Sequence, residues 1–518
     1  MNGAEALIRT LVGSGVDTCF MNPGTSEMHF VAALDAVPEM RAVLGLFEGV
    51  ATGGADGYAR MKDHPAAVLL HLGPGLGNGL ANLHNARKGN VPIVNIVGDH
   101  ATYHKQYDAQ LESDIETVAR NVSPAWVRRS SSTAGLAGDA AEAVAAALGP
   151  PGQVATLILP ADISWSDGGA VVGAATAAAP QSVDAGVVET VAKALRADGP
   201  AALLLGGTGL RERGLRAANR IAAATGTQLL AETFPTRIER GAGLPEPTRL
   251  AYLAEFAAMQ LAPLRRLVLV GAKAPVSFFA YPGRESYLVP EDCELIELAT
   301  VDHDVEAVLE QLADALDAPD VAVPSSGPRP ERPTGALTAE SIAAALGALL
   351  PEGAIVSDEA QTSGLSNPGA TVEAPPHSWL CLTGGAIGQG LPVATGAAVA
   401  APGRRVVALE ADGSALYTFQ SLWTQAREGL DVTTIIYNNR SYSILNMELS
   451  RVGVEEPGPK ALSMLDLHRP DMDFVSLSQG LGVPATRAET AEELTSQLEA
   501  SLATPGPSLI EALVPPIL

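Results

Sequence analysis

RVVALEADGS (residues 405–414) followed by VTTIIYNN (residues 432–439) decides the fold. Each is a short apolar run that stops at polar residues, the first at Asp412-Gly413-Ser414 and the second at Asn438-Asn439. Runs of this length bounded by turn formers read as buried parallel strands, and the helical pattern between them reads as a crossover. Asp412 and Asn439 are 27 positions apart, so both fall at the C-terminal ends of strands separated by one helix. Ligands of an open parallel sheet bind at that edge. A carboxylate and an amide oxygen are hard donors of the kind Mg²⁺ accepts, and Mg²⁺ completes its octahedron with substrate phosphates. Gly413 lets the backbone approach a ligand closely, and a helix from Ala415 would offer its N-terminus to an anion. Asp-Gly or Asn-Asn alone is an ordinary turn. Paired at two strand ends, they point to a metal-diphosphate site.

Working outward, LTGGAIGQGLP (382–392) is a second glycine-rich segment ahead of a helix. Residues 374–403 carry no Asp, Glu, Lys or Arg, but 384–402 hold five glycines and two prolines. That is a backbone loop feeding a small-residue helix, not a membrane span. AIVSDE and PSLIEALV add strands, and TAESIAAALGALL and ALYTFQSLWTQAREG add helices, to make a unit at 336–518. The four prolines of PSSGPRPERPTG (324–335) mark it off as a linker. Before it lies a unit at 186–322, with strands AALLLGG and LRRLVLVG and the helix RGLRAANRIAAATG. The first unit, 1–168, has strands VDTCFM, AAVLLHL, VPIVNIVG and ATLILP between the helices EALIRTLVGSG, SEMHFVAALD and GLANLHNARKG. It exits through DGGAVVGAATAAAP. The first and last units share an order of helix, strand, glycine-rich crossing and closing strand. The reading is an α/β protein of three open parallel-sheet domains.

The 518 residues agree with three domains at roughly 150 residues each. With 47% hydrophobic and 18% charged residues, there is material for large cores and no sign of disorder. Asp plus Glu total 58 against 33 Lys plus Arg, and the resulting charge of −25 repels phosphate backbones and anionic lipids. No nucleic-acid or membrane partner is expected. Cys19, Cys293 and Cys381 lie far apart without a CxxC spacing, so they read as buried thiols in a reducing compartment. Glu5 and Arg9 interrupt the apolar core that a signal peptide needs, and a cytoplasmic location is expected.

These residues carry a resemblance. Ala411-Asp412-Gly413 and Asn438-Asn439 resemble the GDG…NN motif of the thiamine diphosphate-dependent 2-oxo acid decarboxylases and carboligases, with alanine for the first glycine. Members like acetolactate (acetohydroxyacid) synthase and benzoylformate decarboxylase are the most similar. The resemblance implies that Asp412, Asn439 and the backbone carbonyl of Ser441 hold Mg²⁺. It implies that Gly413, Ser414, Gln361 and Thr362 meet the diphosphate, and that Ile387, next to Gly385 and Ala386, props the cofactor in its bent form. LFEGVATGGADGYAR (46–60) is similar to the segment bearing the family's catalytic glutamate, here Glu48. Deprotonating the very weakly acidic thiazolium C2 requires a carboxylate against N1′ of the aminopyrimidine, and such a group is expected to be desolvated. A lone Glu on a helix is usually a solvated face; the apolar and glycine neighbours of Glu48 argue otherwise.

Asn22-Pro23-Gly24-Thr25-Ser26-Glu27 and HLGPGLGNG (71–79, with Gly73 and Asn78) resemble two further segments lining the family's pocket. The latter reads GxGxG, not GxGxxG, and lacks the acidic residue of a dinucleotide fingerprint. Thr25 stands where benzoylformate decarboxylases carry a serine. His71, 23 residues after Glu48, stands at the offset of their catalytic histidine, although a lone strand-end His is as often structural. GDHATYHKQYDAQLESD (98–114) holds His100, His104 and Gln110, which match neither the paired histidines of pyruvate decarboxylases nor the Phe-Gln of acetolactate synthases. Gly271-Ala272-Lys273-Ala274-Pro275-Val276 lacks the arginine and acidic-aromatic run with which acetolactate synthases bind FAD, so the resemblance does not extend to that cofactor. Phe278, Phe279 and Ala280 fill a region where benzoylformate decarboxylases have a histidine.

The expected function is thus a thiamine diphosphate- and Mg²⁺-dependent lyase or carboligase acting on a small 2-oxo acid, of the pyruvate-to-acetolactate type and without FAD. A non-oxidative decarboxylase is the alternative, and a catalytically silent relative the third. Glu48 activates the cofactor, while Thr25, His71 and Gln110 orient substrate and proton transfers. The resemblance also implies a homodimer or homotetramer with active sites at the subunit interface.

Overall fold

The computed structural model describes residues 1–516. It contains three sheets. In the first, the strands lie in the order Arg41–Leu44, Thr18–Asn22, Ala66–Leu70, Ile93–Asp99, Val154–Pro160, Val127–Arg129, all parallel. In the last, the parallel strands are His377–Cys381, Ile355–Glu359, Val406–Ala411, Val432–Asn438, Ser508–Leu513 and Ala485–Ala488. Numbered within its own unit, each sheet runs 2-1-3-4-6-5. The shared order of motifs in the sequence is therefore a shared topology. The last sheet also takes an antiparallel edge strand, Ile238–Arg240, against His377–Trp379. The central sheet has five parallel strands, with Ala201–Leu205 in the middle.

In both outer sheets the order reverses between the first and third strands. Those two crevices are where an open sheet takes its ligand. The crevice of the first sheet is bounded by the residues after Asn22 and after Leu70, and that of the last by those after Glu359 and Ala411. The motifs read from the sequence sit at these strand ends.

The strands missed by pattern reading are mostly edges. Arg41–Leu44 and Glu294–Ala299 are edges, and Gln228–Ala231 lies one strand in from an edge; all three are partly exposed and carry Arg, Gln or Glu, which erases the apolar run. His377–Cys381 is buried throughout and lies in the uncharged stretch 374–403, ahead of the glycine-rich segment, where no strand was read. Three helical segments differ from expectation. The helix expected from Ala415 is a single turn, Asp412–Ala415, with Ser421–Glu428 after it. HLGPGLGNG, read as a glycine-rich crossing ahead of the helix GLANLHNARKG, is itself helical and forms the first turns of Leu72–Lys88. SEMHFVAALD is split into short 3₁₀ and α segments over Thr25–Ala36.

The first and last units meet through helices Glu48–Lys62 and Gly390–Ala400, the latter buried along its whole length. Glycines make the crossing possible. A Cβ on Gly57 would overlap the carbonyl of Val393, and one on Gly396 the carbonyl of Gly54. The three cysteines are buried and unpaired. Among the described residues, no helix is long and apolar enough to cross a membrane.

His377, nearly fully buried on Trp379 with Nδ1 2.8 Å from the Pro375 carbonyl, has its pKa pulled down to about 4 by burial. A depressed histidine pKa stabilises the fold fully above the ordinary value near 6.5, and that stabilisation disappears as pH falls toward 4. The shift corresponds to about 3 kcal/mol. His377→Gln should flatten the decline of melting temperature between those pH values; an unchanged slope would place the acid lability elsewhere.

Candidate active site

At the C-terminal edge of the first sheet, one cluster joins residues far apart in sequence. Glu48 is the first residue of its helix, where the macrodipole favours negative charge, and it is 9% exposed. Its Oε2 accepts a hydrogen bond from Asn78 Nδ2 at 3.0 Å. Across Gly75, where an added Cβ would sit 3.3 Å from Glu48 Oε1 and 3.5 Å from His71 Cβ, stands His71. Its Nδ1 lies 2.7 Å from Oε2 of Glu27. Glu27 is fully buried, accepts the Gly24 N–H at 2.7 Å, and has its pKa raised by desolvation. The close seat of the His71 ring on Gly24 excludes a side chain there. Asn22 Nδ2 bonds the Gly45 carbonyl, tying the Asn22-Pro23-Gly24 turn to the segment leading into Glu48.

Of the other residues expected here, Gly73 packs on Ser113. Thr25 and Gln110 are exposed. The rings of His100 and His104 lie with centroids 5.2 Å apart, tilted by 55°, and burial lowers the pKa of His100. Among the described residues, no group of three or more His, Cys, Asp or Glu could hold a metal ion. Lys105, between Asp99 (3.2 Å) and Glu112 (2.5 Å), pins this loop instead.

At the last sheet, Asp412 is buried and its pKa is pushed up to about 6 by that burial. Backbone N–H groups of Gly413 (2.8 Å) and Arg440 (2.6 Å) donate to its oxygens. No cationic side chain of the described residues pairs with it; the Arg440 guanidinium goes to Asp471. A buried carboxylate without a cation fits a bound Mg²⁺. Asn439 lies beside it, Oδ1 accepting the Ser441 N–H (2.9 Å) and Nδ2 reaching Ser363 Oγ (3.3 Å). Ser363 belongs to the short turn Gln361–Gly364, so Gln361 and Thr362 are carried to the same edge. Gly413 and Ser414 are buried in the turn after Asp412. The aromatic ring of Tyr442 lies where a Cβ on Gly413 would be.

The backbone conformation marks the same places. Among the described residues, seven non-glycine residues have left-handed φ, and four are Asp or Asn, which tolerate it. The other three are Leu72 (+52°), Gln361 (+52°) and Arg440 (+59°), each following a strand end of these two clusters. Strain of this kind is retained where surrounding structure over-determines it.

The loop Gly384–Gln389 links the clusters. Asn82 Nδ2 bonds the carbonyls of both Gly49 (2.8 Å) and Gly388 (3.2 Å), and Asn85 bonds both the N–H and the carbonyl of Ala386. Gly385 (φ +77°) has Phe278 against it, within an aromatic group of Phe234 and Tyr252 from the central unit. Ile387 is half-buried at the turn. Beneath it, Glu359 accepts the N–H groups of Gly388 (2.7 Å) and Gly390, beside the buried Glu410 on the neighbouring strand. Burial raises the pKa values of both, with repulsion from Asp358 adding at Glu359 and repulsion from Glu359 and Asp358 adding at Glu410.

Sequence reading missed Glu27 as the partner of His71, although it lay inside a quoted motif, because the pair is 44 residues apart. It also missed Asn82 and Asn85. Their signal was available: with Asn78 they recur at i, i+4 and i+7, one polar face on an otherwise packed helix.

Comparison with known proteins gives the following. Residues 1–119 match the family described as "Thiamine pyrophosphate enzyme, N-terminal TPP binding domain", and residues 363–512 match "Thiamine pyrophosphate enzyme, C-terminal TPP binding domain". The chain is 60% identical over 518 residues, covering 99% of both chains, to a Mycobacterium tuberculosis protein named "Putative acetolactate synthase large subunit IlvX". It is 30% identical to the benzoylformate decarboxylase of Pseudomonas aeruginosa, covering 96% of each chain. Among solved structures it is similar to the thiamine diphosphate-dependent 4-hydroxybenzoylformate decarboxylase of Rhodococcus jostii RHA1, with a TM-score of 0.86, 25% identity and 99% of each chain covered.

Proposed function

The chain belongs to the thiamine pyrophosphate (thiamine diphosphate) enzyme family, and we propose that within it the protein is an Mg²⁺-dependent, FAD-independent decarboxylase of 2-oxo acids. The observation that carries this reading is the His71–Glu27 pair standing beside Glu48. Asp412, Asn439 and the Ser441 carbonyl would hold Mg²⁺, with Gly413, Ser414, Gln361 and Thr362 toward the diphosphate. When bound, the cofactor supplies the electron sink for the pair released as CO₂ leaves. Glu48 has Oε2 held by Asn78, which leaves Oε1 to exchange a proton with the pyrimidine ring nitrogen. Buried Glu27 fixes the His71 ring through Nδ1, which leaves Nε2 to deliver a proton to the product carbon. Thr25, exposed on the adjoining turn, and Gln110, exposed in the loop after Ile93–Asp99, would orient the substrate.

A second reading, carboligation of the acetolactate type, is favoured by the name of the 60%-identical relative. There a second 2-oxo acid takes the place of the proton. The two are separated by incubating the protein with thiamine diphosphate, Mg²⁺ and either pyruvate or benzoylformate, without FAD, and following products by NMR. Aldehyde supports the first reading and acetolactate the second. In the first, His71→Ala should slow aldehyde release about 100-fold, the usual worth of a positioned general acid. Undiminished release would remove His71 from the mechanism.

We propose further that two or four copies assemble. Leu46 and Tyr417, on the segments flanking the two clusters, are exposed apolar side chains of the kind an interface covers. Light scattering that gives a monomer would overturn this.

A further inference from the structure

The aromatic group that the central unit sets against the Ile387 turn has an open side. The centroids of Phe234 and Tyr252 lie 6.1 Å apart, and Phe278 stands 5.8 Å from the first and 5.2 Å from the second. Phe279 meets Phe278 edge-on at 4.9 Å. At these spacings aromatic pairs attract beyond the area they bury. Phe234 and Tyr252 are half-buried, yet Phe278 is 43% and Phe279 54% exposed. Adjoining apolar rings left this open mark a binding surface, unlike apolar side chains scattered singly.

The loop that carries the two open rings is fastened at both sides. Tyr281 Oη donates to Glu448 Oε2 at 2.8 Å, and the Arg451 guanidinium lies over the Tyr281 ring, 4.3 Å from its centroid. Arg451 and Arg284 both pair with Glu255 of the helix Ala254–Leu261. Glu448 and Arg451 belong to the helix Ser443–Arg451, which starts two residues after Ser441. On the other side, the Phe278 ring fills the space over Gly385. Gly388 of the same turn lies against Tyr417, and its carbonyl accepts from Thr418 Oγ1 at 2.9 Å, in the segment after the Asp412–Ala415 turn. Rings, turn and Asp412 edge thus form one wall, built by the central and last units. In an assembly with sites between subunits, this wall is one half of a site and the Glu48 cluster of another copy is the other.

We propose that Phe278 and Phe279 are specificity-determining residues: they receive the side chain of the 2-oxo acid and select an aryl group over a methyl group. An aryl side chain gains most there, because edge-on and offset ring pairs add to the burial of area. The neighbouring cations, Arg451 and Arg284, are committed to Glu255 and Glu448, which disfavours a side chain bearing a second carboxylate. The proposal rests on the reading that the Ile387 turn and the Asp412 edge serve the cofactor, which brings the 2-oxo acid to this wall.

Binding of unreactive 2-hydroxy acids tests this apart from turnover. Mandelate carries the phenyl group of benzoylformate, and lactate the methyl group of pyruvate. Uptake of thiamine diphosphate and Mg²⁺ by the full-length protein is measured first, and each acid is then titrated into the saturated protein by ligand-observed NMR. Wild type should bind mandelate at least about tenfold more tightly than lactate, the low end of what one apolar group contributes in a pocket. Phe278→Ala should weaken mandelate about tenfold and leave lactate within about twofold, while Phe279→Ala, which removes the outer ring, should weaken mandelate about threefold. Equal affinities in wild type, no binding of mandelate, or equal losses for both acids in Phe278→Ala would overturn the proposal. Should Phe278→Ala not fold or not retain the cofactor, Phe279→Ala decides: the threefold loss supports the proposal and an unchanged mandelate affinity overturns it. If wild type takes up no thiamine diphosphate, the underlying reading falls and the proposal with it, and the first measurement identifies that case.

Discussion

Glu48→Gln is expected to bind thiamine diphosphate with near-normal affinity while exchanging the cofactor's C2 proton for deuterium at least about 100-fold more slowly, and turnover should fall in step. The substitution conserves shape and keeps an oxygen for the Asn78 amide, so the 3.0 Å hydrogen bond and the helix start are retained. What disappears is the ability to hold and release a proton. At the first residue of a helix, against glycine on one side and Asn78 on the other, the carboxylate is fixed before any ligand arrives, and such preorganisation is worth most where water is excluded. Quenched-flow NMR of the C2 proton reads the step directly. Unchanged exchange would remove Glu48 from cofactor activation, whatever its effect on turnover.

Gly396→Ala should have the largest effect on stability. The new Cβ would overlap the Gly54 carbonyl and press on the Tyr58 nitrogen, and both are helix backbone that cannot rotate away. The two helices must separate, and overpacking of this kind costs about 3 kcal/mol. Since these helices carry Glu48 and follow Ile387, cofactor affinity should fall as well. Gly138→Ala is the control: nothing lies within 4 Å of its Cβ position in the helix Thr133–Leu148, and there alanine should stabilise by about 0.5–1 kcal/mol. Chemical denaturation of both variants measures the difference. Equal midpoints would mean that the crossing relaxes freely.

Much of the site was legible because strand ends are local events. Apolar runs closing on Asp412-Gly413, Asn438-Asn439 and Asn22-Pro23-Gly24 announce where a parallel sheet presents its ligand edge, and the strands lie there. Asp412 and Asn439 lie at that edge as read, whereas the helix that Glu48 opens is a finding of the structure. The crossing of Glu48–Lys62 with Gly390–Ala400 was not legible. A glycine in a pattern says that something approaches closely, but not what.

The sequence by itself determined most of the buried central strands, the architecture of three parallel-dominated sheets, and which polar residues end at their ligand edges. These follow from periodicity and turn chemistry within a dozen residues. Only the tertiary structure decided that both outer sheets adopt one strand order, that Ile238–Arg240 joins the last sheet, that Glu27 holds His71, and that Asp56 and Arg60 reach Gln389 and Cys381 more than 300 residues away. The reason is hydrogen-bond satisfaction. A buried carboxylate or guanidinium must find partners when water leaves, and those partners are chosen by proximity in the packed chain, which no local pattern encodes.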